Sequence, residues 1–126
     1  MVKTHQIAEF KIEHQQILDN NGNLVTDLPS WANVEHLKKL YEYLYLTRRT
    51  DRKAIALQRT GKLGTYPPIE GQEAVSVGFA AAMYAQDIFC PYYRDLGAHL
   101  WRGVKLTEIF QYWGGDEAGS NWQGVA

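Results

Sequence analysis

The chain has 126 residues, with Lys+Arg 13 against Asp+Glu 14 and a formal net charge of -1. That balance excludes a generic binder of nucleic acid or of anionic membrane surfaces, and the length allows one domain at most. Hydrophobic residues make up 45%, and four Trp with eight Tyr favour large packed contacts or subunit interfaces over disorder.

The opening MVKTHQIAEF lacks the apolar centre of a secretion signal, and no stretch approaches the roughly 20 apolar residues that span a bilayer, so a cytoplasmic protein is expected. In FKIEHQQILDNNGNLVTDL, two runs compatible with strands flank Asn21-Gly22, a pair that tolerates positive φ, which predicts a short β-hairpin. Residues 1–32 are therefore read as an N-terminal extension carrying that hairpin, and residues 33–126 as a helical body. After Pro29, with Asn33 as a candidate N-cap, Val34, Leu37, Leu40, Tyr41, Leu44, Ile55 and Leu57 fall close to a helical period that Gly61 and Gly64 end. Arg48 and Asp51 stand at a spacing that permits an ion pair within this helix.

Pro67-Pro68 forces an extended approach to the next helix, predicted from Gly71 to about Met83, whose acidic Glu70 and Glu73 suit its positive end. Gly71, Ala74, Gly78, Ala81 and Ala85 recur at three- and four-residue steps along it. That stripe would let another backbone come close and predicts a centrally buried helix. Cys90, between Phe89 and Pro91, reads as a small buried hydrophobe and, being alone, forms no intrachain disulfide. A short helix in YRDLGAHLWRGV should stop at Gly103. A further helix, opened by Leu106 or Thr107, should end at Gly114-Gly115. The tail DEAGSNWQGVA has no periodicity and reads as a loop. His5, His14, His36 and His99 lack ligand spacing with one another or with Cys90, so no metal site from this chain alone is expected. The expected fold is a mainly α fragment of something larger.

Within FCPYYRDLGAHLWRG, Arg94 is the residue that asks for an explanation. A guanidinium keeps its charge at any ordinary pH, so a partly buried one needs an acid, a set of carbonyls or an anionic ligand. Asp95 is the nearest candidate acid. Spacing alone leaves these alternatives open.

Taken in order, LQRTGKLGTY, EGQEAVSVG, YYRDLGAHLWRG and YWGGDEAG resemble the alpha subunit of the thiamine-diphosphate-dependent 2-oxo acid dehydrogenases, over about Leu37 to Gly119 and including the bacterial-type lead QILDNNGNLV. The resemblance implies that the helical body is the N-terminal part of an α/β thiamine diphosphate-binding fold. It implies that Tyr93 and Arg94 contact the cofactor's diphosphate, that Thr65 and Tyr66 in the GTYPP turn border the substrate's approach, and that Gln72 and Glu73 cap and position a helix. Catalytic and metal-binding residues are not expected within this stretch: the magnesium ligands should lie in a downstream Gly-Asp-Gly segment, and the activating glutamate on a beta subunit. The implied activity is oxidative decarboxylation of pyruvate with acyl transfer to a lipoyl group; the alternatives are the alpha subunit of a branched-chain 2-oxo acid dehydrogenase or of an acetoin dehydrogenase. The implied partners are a beta subunit, in a heterotetramer of two alpha and two beta chains, and a lipoyl-bearing acyltransferase. Some pyruvate-using relatives carry a histidine where this chain has Pro67 and Pro68. The rival reading is a non-catalytic helical interaction module.

Overall fold

The computed structural model describes residues 2–122. The chain divides into two compact units, Met1–Asn33 and Val34–Ala126.

The first unit is extended around one tight turn. Asp19 Oδ1 accepts from the backbone N–H of Asn21 and of Asn23, both at 2.8 Å, and Gly22 takes φ +83°. Beyond the turn, Val25 N donates to Ile17 O at 2.9 Å and Leu18 faces Leu24 in a single antiparallel bridge. The expected hairpin is thus corrected to a turn with one bridge. Ile17, Leu18, Leu24 and Val25 are all exposed, and a two-stranded ribbon with no buried face is marginal in water.

The second unit holds α1 (Val34–Arg59), α2 (Glu73–Ala82), α3 (Leu96–Trp101), α4 (Leu106–Gly114) and a 3-10 turn (Glu117–Ser120). Among the described residues it contains no strand. The 3-10 turn, capped by Asp116 through a 2.9 Å bond from Ala118 N, replaces part of the loop expected for the tail, and residues 123–126 lie outside the described residues. Glu108 accepts from the N–H of Lys105 at 2.9 Å and so closes the first turn of α4. Gly103 and Gly115, at φ +96° and +82°, take the left-handed conformation that releases the chain from α3 and α4.

Helix α2 packs on α3 and α1, α1 also meets α3, and α4 meets the 3-10 turn. One apolar cluster joins Ile69, Leu96, Leu100, Val104 and Ile109; another joins Ala54, Leu63 and Tyr66. Each large aliphatic side chain so buried contributes roughly 1.5–3 kcal/mol. Among the described residues no helix is long and apolar enough to cross a membrane.

Three expectations change at this level. The inward face of α1 is Thr47, Thr50, Asp51 and Ala54, while Val34 and Tyr41 are exposed. The small-residue stripe of α2 does not face inward: Gly71, Ala74, Gly78 and Ala85 are exposed, and Glu73, Ser76, Val77 and Ala80 form the buried side. The close approach is supplied by Gly97 on α3, where a Cβ would meet Ser76 Oγ and lie 2.7 Å from Val77 Cγ2. Cys90 is exposed, because it lies in the extended run between α2 and α3, beside the exposed Ile88 and Tyr92.

Candidate functional site

The turn from Tyr66 to Glu73 is fastened to α1 by charged side chains. Asp51, 1% exposed, accepts at Oδ1 both the Tyr66 hydroxyl at 3.0 Å and the Ile69 N–H at 2.9 Å. Burial first, and then the charge and hydrogen bond of Asp51, push the Tyr66 phenol far above its ordinary pKa, so it stays a donor. Arg48 Nε and Nη2 grip the two oxygens of Glu73, the second at 2.9 Å, and Arg48 Nη1 reaches Glu70 at 3.3 Å. Arg52 adds Nη2 and Nε bonds to Glu70 at 2.8 and 3.2 Å. The Arg48–Asp51 pair that helix spacing permits is therefore not formed: Arg48 turns to carboxylates 22 and 25 residues away. Glu73, 5% exposed, also accepts from Gly71 N at 3.0 Å. The Arg48 hydrogen bond holds its carboxyl below the usual range against the opposing effect of burial. Gln72 occupies the N-cap position of α2, with no capping bond from its side chain.

Arg94 stands across from this turn. Its Nε donates to the Pro68 carbonyl at 3.3 Å, its Nη1 donates to the Tyr93 hydroxyl at 3.0 Å, and the guanidinium lies 4.8 Å from the centre of the Tyr93 ring. Asp95 does not pair with it; that carboxylate accepts from Tyr92 N at 2.7 Å instead. Among the described residues no carboxylate lies within ion-pair distance of Arg94. Among the described residues its guanidinium donates to a carbonyl and a phenol, both neutral.

Beside the pair, a cleft of about 150 Å³ is lined by aromatic and apolar groups, among them Tyr66, Tyr93, His99, Tyr112, Trp113 and Trp122. The rings meet edge to face, Tyr66 on Trp113 at 5.2 Å and His99 on Trp122 at 4.5 Å. Trp122 is further held by its indole N–H on Gly119 O. Burial holds the His99 imidazole below its ordinary pKa, with Asp95 pulling the other way, and His99 Nδ1 is buried with no hydrogen-bond partner among the described residues. The arrangement offers an apolar, ring-lined space with a cation at its edge, suited to a ligand that is flat and apolar at one end and anionic at the other. Of the residues singled out in the sequence, Tyr66 and Tyr93 share this cleft and Arg94 adjoins it, whereas Thr65 is exposed outside its lining. Asp51 and His99 escaped sequence reasoning as site residues. The face of α1 running through Thr47, Thr50, Asp51 and Ala54 was the signal for Asp51.

A family model described as dehydrogenase E1 component matches residues 41–125, from within α1 through the 3-10 turn. The chain belongs to the dehydrogenase E1 component family. As a member of that family it is 45% identical over 103 residues to the pyruvate dehydrogenase E1 component subunit alpha of Acholeplasma laidlawii, covering 81% of the chain and 30% of the relative. To the proteins of the same description in Staphylococcus aureus and Staphylococcus epidermidis it is 40% and 38% identical over 112 residues, 88% of the chain and 30% of each relative. This E1-family chain thus spans under a third of the length of those relatives.

Proposed function

We propose that the chain is the N-terminal part of the alpha subunit of a pyruvate dehydrogenase E1 component, and that it supplies one half of a thiamine diphosphate site. The observation that carries the reading is Arg94, a guanidinium with no carboxylate partner among the described residues, set by Pro68 and Tyr93 next to a ring-lined cleft. Donors of this kind fit a diphosphate: the fork of Arg94 serves two oxygens, and the Tyr93 hydroxyl adds a donor without adding charge. Thiamine diphosphate, when bound, supplies the nucleophilic carbon and the electron sink for decarboxylation. The residues of this chain bind and orient it: Arg94 and Tyr93 anchor the anionic end, the aromatic wall excludes water, and Thr65 and Tyr66 border the 2-oxo acid's approach.

The relatives' names support pyruvate as the substrate. In this reading magnesium is held by residues further along the full-length subunit, a beta subunit completes a cytoplasmic heterotetramer, and a lipoyl-bearing acyltransferase accepts the acyl group.

The test is cofactor titration into the full-length assembly. Arg94→Ala should weaken thiamine diphosphate binding by about ten- to a hundredfold with the fold retained. Arg94→Lys should recover only part of the loss, since an ammonium keeps charge without the fork. Unchanged affinity with a lowered melting temperature would make Arg94 a structural residue and end the reading.

A further inference from the structure

The two prolines of the Tyr66–Ile69 segment have their φ fixed by their rings and carry no N–H, so neither can tie the backbone down by donating. The tie comes from either side of them. A single oxygen of Asp51, on α1, accepts from Tyr66 just before the prolines and from Ile69 just after them. Between those two fastenings sits the Pro68 carbonyl, the acceptor for Arg94 Nε. Ile69 is also buried in the apolar cluster with Leu96, two residues beyond Arg94. Placing Pro68 O and placing Arg94 are thus one structural problem, and Asp51 stands at its base.

From this we infer that Asp51 is a positioning residue for the anion grip: by bracketing Pro67-Pro68 it fixes the carbonyl that orients the Arg94 guanidinium. The inference rests on the reading of Arg94 as a cofactor anchor. Asp51 touches neither the cleft's contents nor Arg94 itself. Its effect on a bound anion runs through the Pro68 carbonyl that orients Arg94, and that effect must vanish when Arg94 is removed. A buried carboxylate that merely stabilised the fold would have no such dependence on Arg94.

The experiment is a double-mutant cycle in the full-length subunit assembled with its partner chain, with thiamine diphosphate affinity read by calorimetry. Asp51→Ala should weaken binding roughly tenfold when Arg94 is present and leave it unchanged on the Arg94→Ala background. Asp51→Asn, which keeps an acceptor oxygen at the same place, should restore most of the affinity. Equal losses on both backgrounds, or no loss on either, would overturn the proposal. If Arg94→Ala alone leaves affinity unchanged, the anchor reading has failed, and this inference falls with it. An Arg94 effect with additive Asp51 losses overturns the positioning role alone. Should Asp51→Ala fail to assemble, Tyr66→Phe runs through the same cycle, since it removes only the hydroxyl on Asp51. A loss of roughly threefold that disappears without Arg94 is then expected, and an additive loss refutes the coupling.

Discussion

Alanine at Gly97 should destabilise the subunit even though it improves the helix. In α3 the substitution gains roughly 1 kcal/mol of intrinsic helix preference. Against that, the added Cβ would sit 2.7 Å from Val77 Cγ2 and 3.2 Å from Val77 N, besides meeting Ser76 Oγ. The serine oxygen can rotate away, at the cost of its 3.3 Å bond to Glu73 O, but Val77 is buried and one of the contacts is to its backbone. Relief therefore requires α3 to retreat from α2, and overpacking of this kind costs about 1–3 kcal/mol. Subtracting the helical gain leaves a net loss of roughly 0–2 kcal/mol, centred near 1. Gly78→Ala is the control: it lies in α2 with nothing within 4 Å of its Cβ position, so it should stabilise by roughly 0.5–1 kcal/mol. Urea unfolding of the two full-length variants beside the parent reads both signs. A Gly97→Ala protein as stable as Gly78→Ala would mean that α2 and α3 do not approach as closely as described, and the argument would fail.

The Glu73 carboxylate, lowered chiefly by its Arg48 hydrogen bond, contributes stability that is present above its unfolded value near 4.5 and drains away as pH falls towards the lower folded value. Glu73→Gln should therefore flatten the acid side of the urea-midpoint profile, and profiles that run parallel below pH 5 would contradict the pairing. Gly119→Ala should disrupt the 3-10 turn, because its Cβ would lie 2.7 Å from Glu108 O and 2.8 Å from the Gln111 carbonyl carbon. Tryptophan fluorescence should report the change, since Trp122 hangs from Gly119 O, and an unaltered spectrum would count against that packing.

The punctuation of the helices was legible because its causes are local. Pro29 precedes α1, Gly61 follows it, and Gly103 and Gly115 follow α3 and α4, each through backbone freedom or its loss at that residue. Which side of a helix faces inward was less legible, since the partner is remote in sequence. The stripe on α2 suggested close packing, yet the space is provided by Gly97 on another helix. Arg48 could reach Asp51 on its own helix, but Glu70 and Glu73 at the far end of the turn compete for it and win with more hydrogen bonds. Thr47, Thr50 and Asp51 belong to residue types that are mostly exposed, yet here they face inward. As for the candidate site, the resemblance assigned Tyr93 and Arg94 to the diphosphate, while the cleft beside them gathers rings from α3 and α4 together with Tyr66, Tyr93 and Trp122 from outside the helices, which no single window of sequence holds together.

The double fastening of Tyr66 and Ile69 to one oxygen acts as a ruler laid across the two prolines. Side chains along such a segment can drift over generations, because most of its shape comes from fixed φ angles and two end points. Its length cannot. One residue added or removed between the fastenings would leave the buried Asp51 carboxylate with one of its two donors displaced. Variation in descendants of this sequence should therefore take the form of exchanges within the segment, with insertions and deletions displaced to the exposed loops on either side.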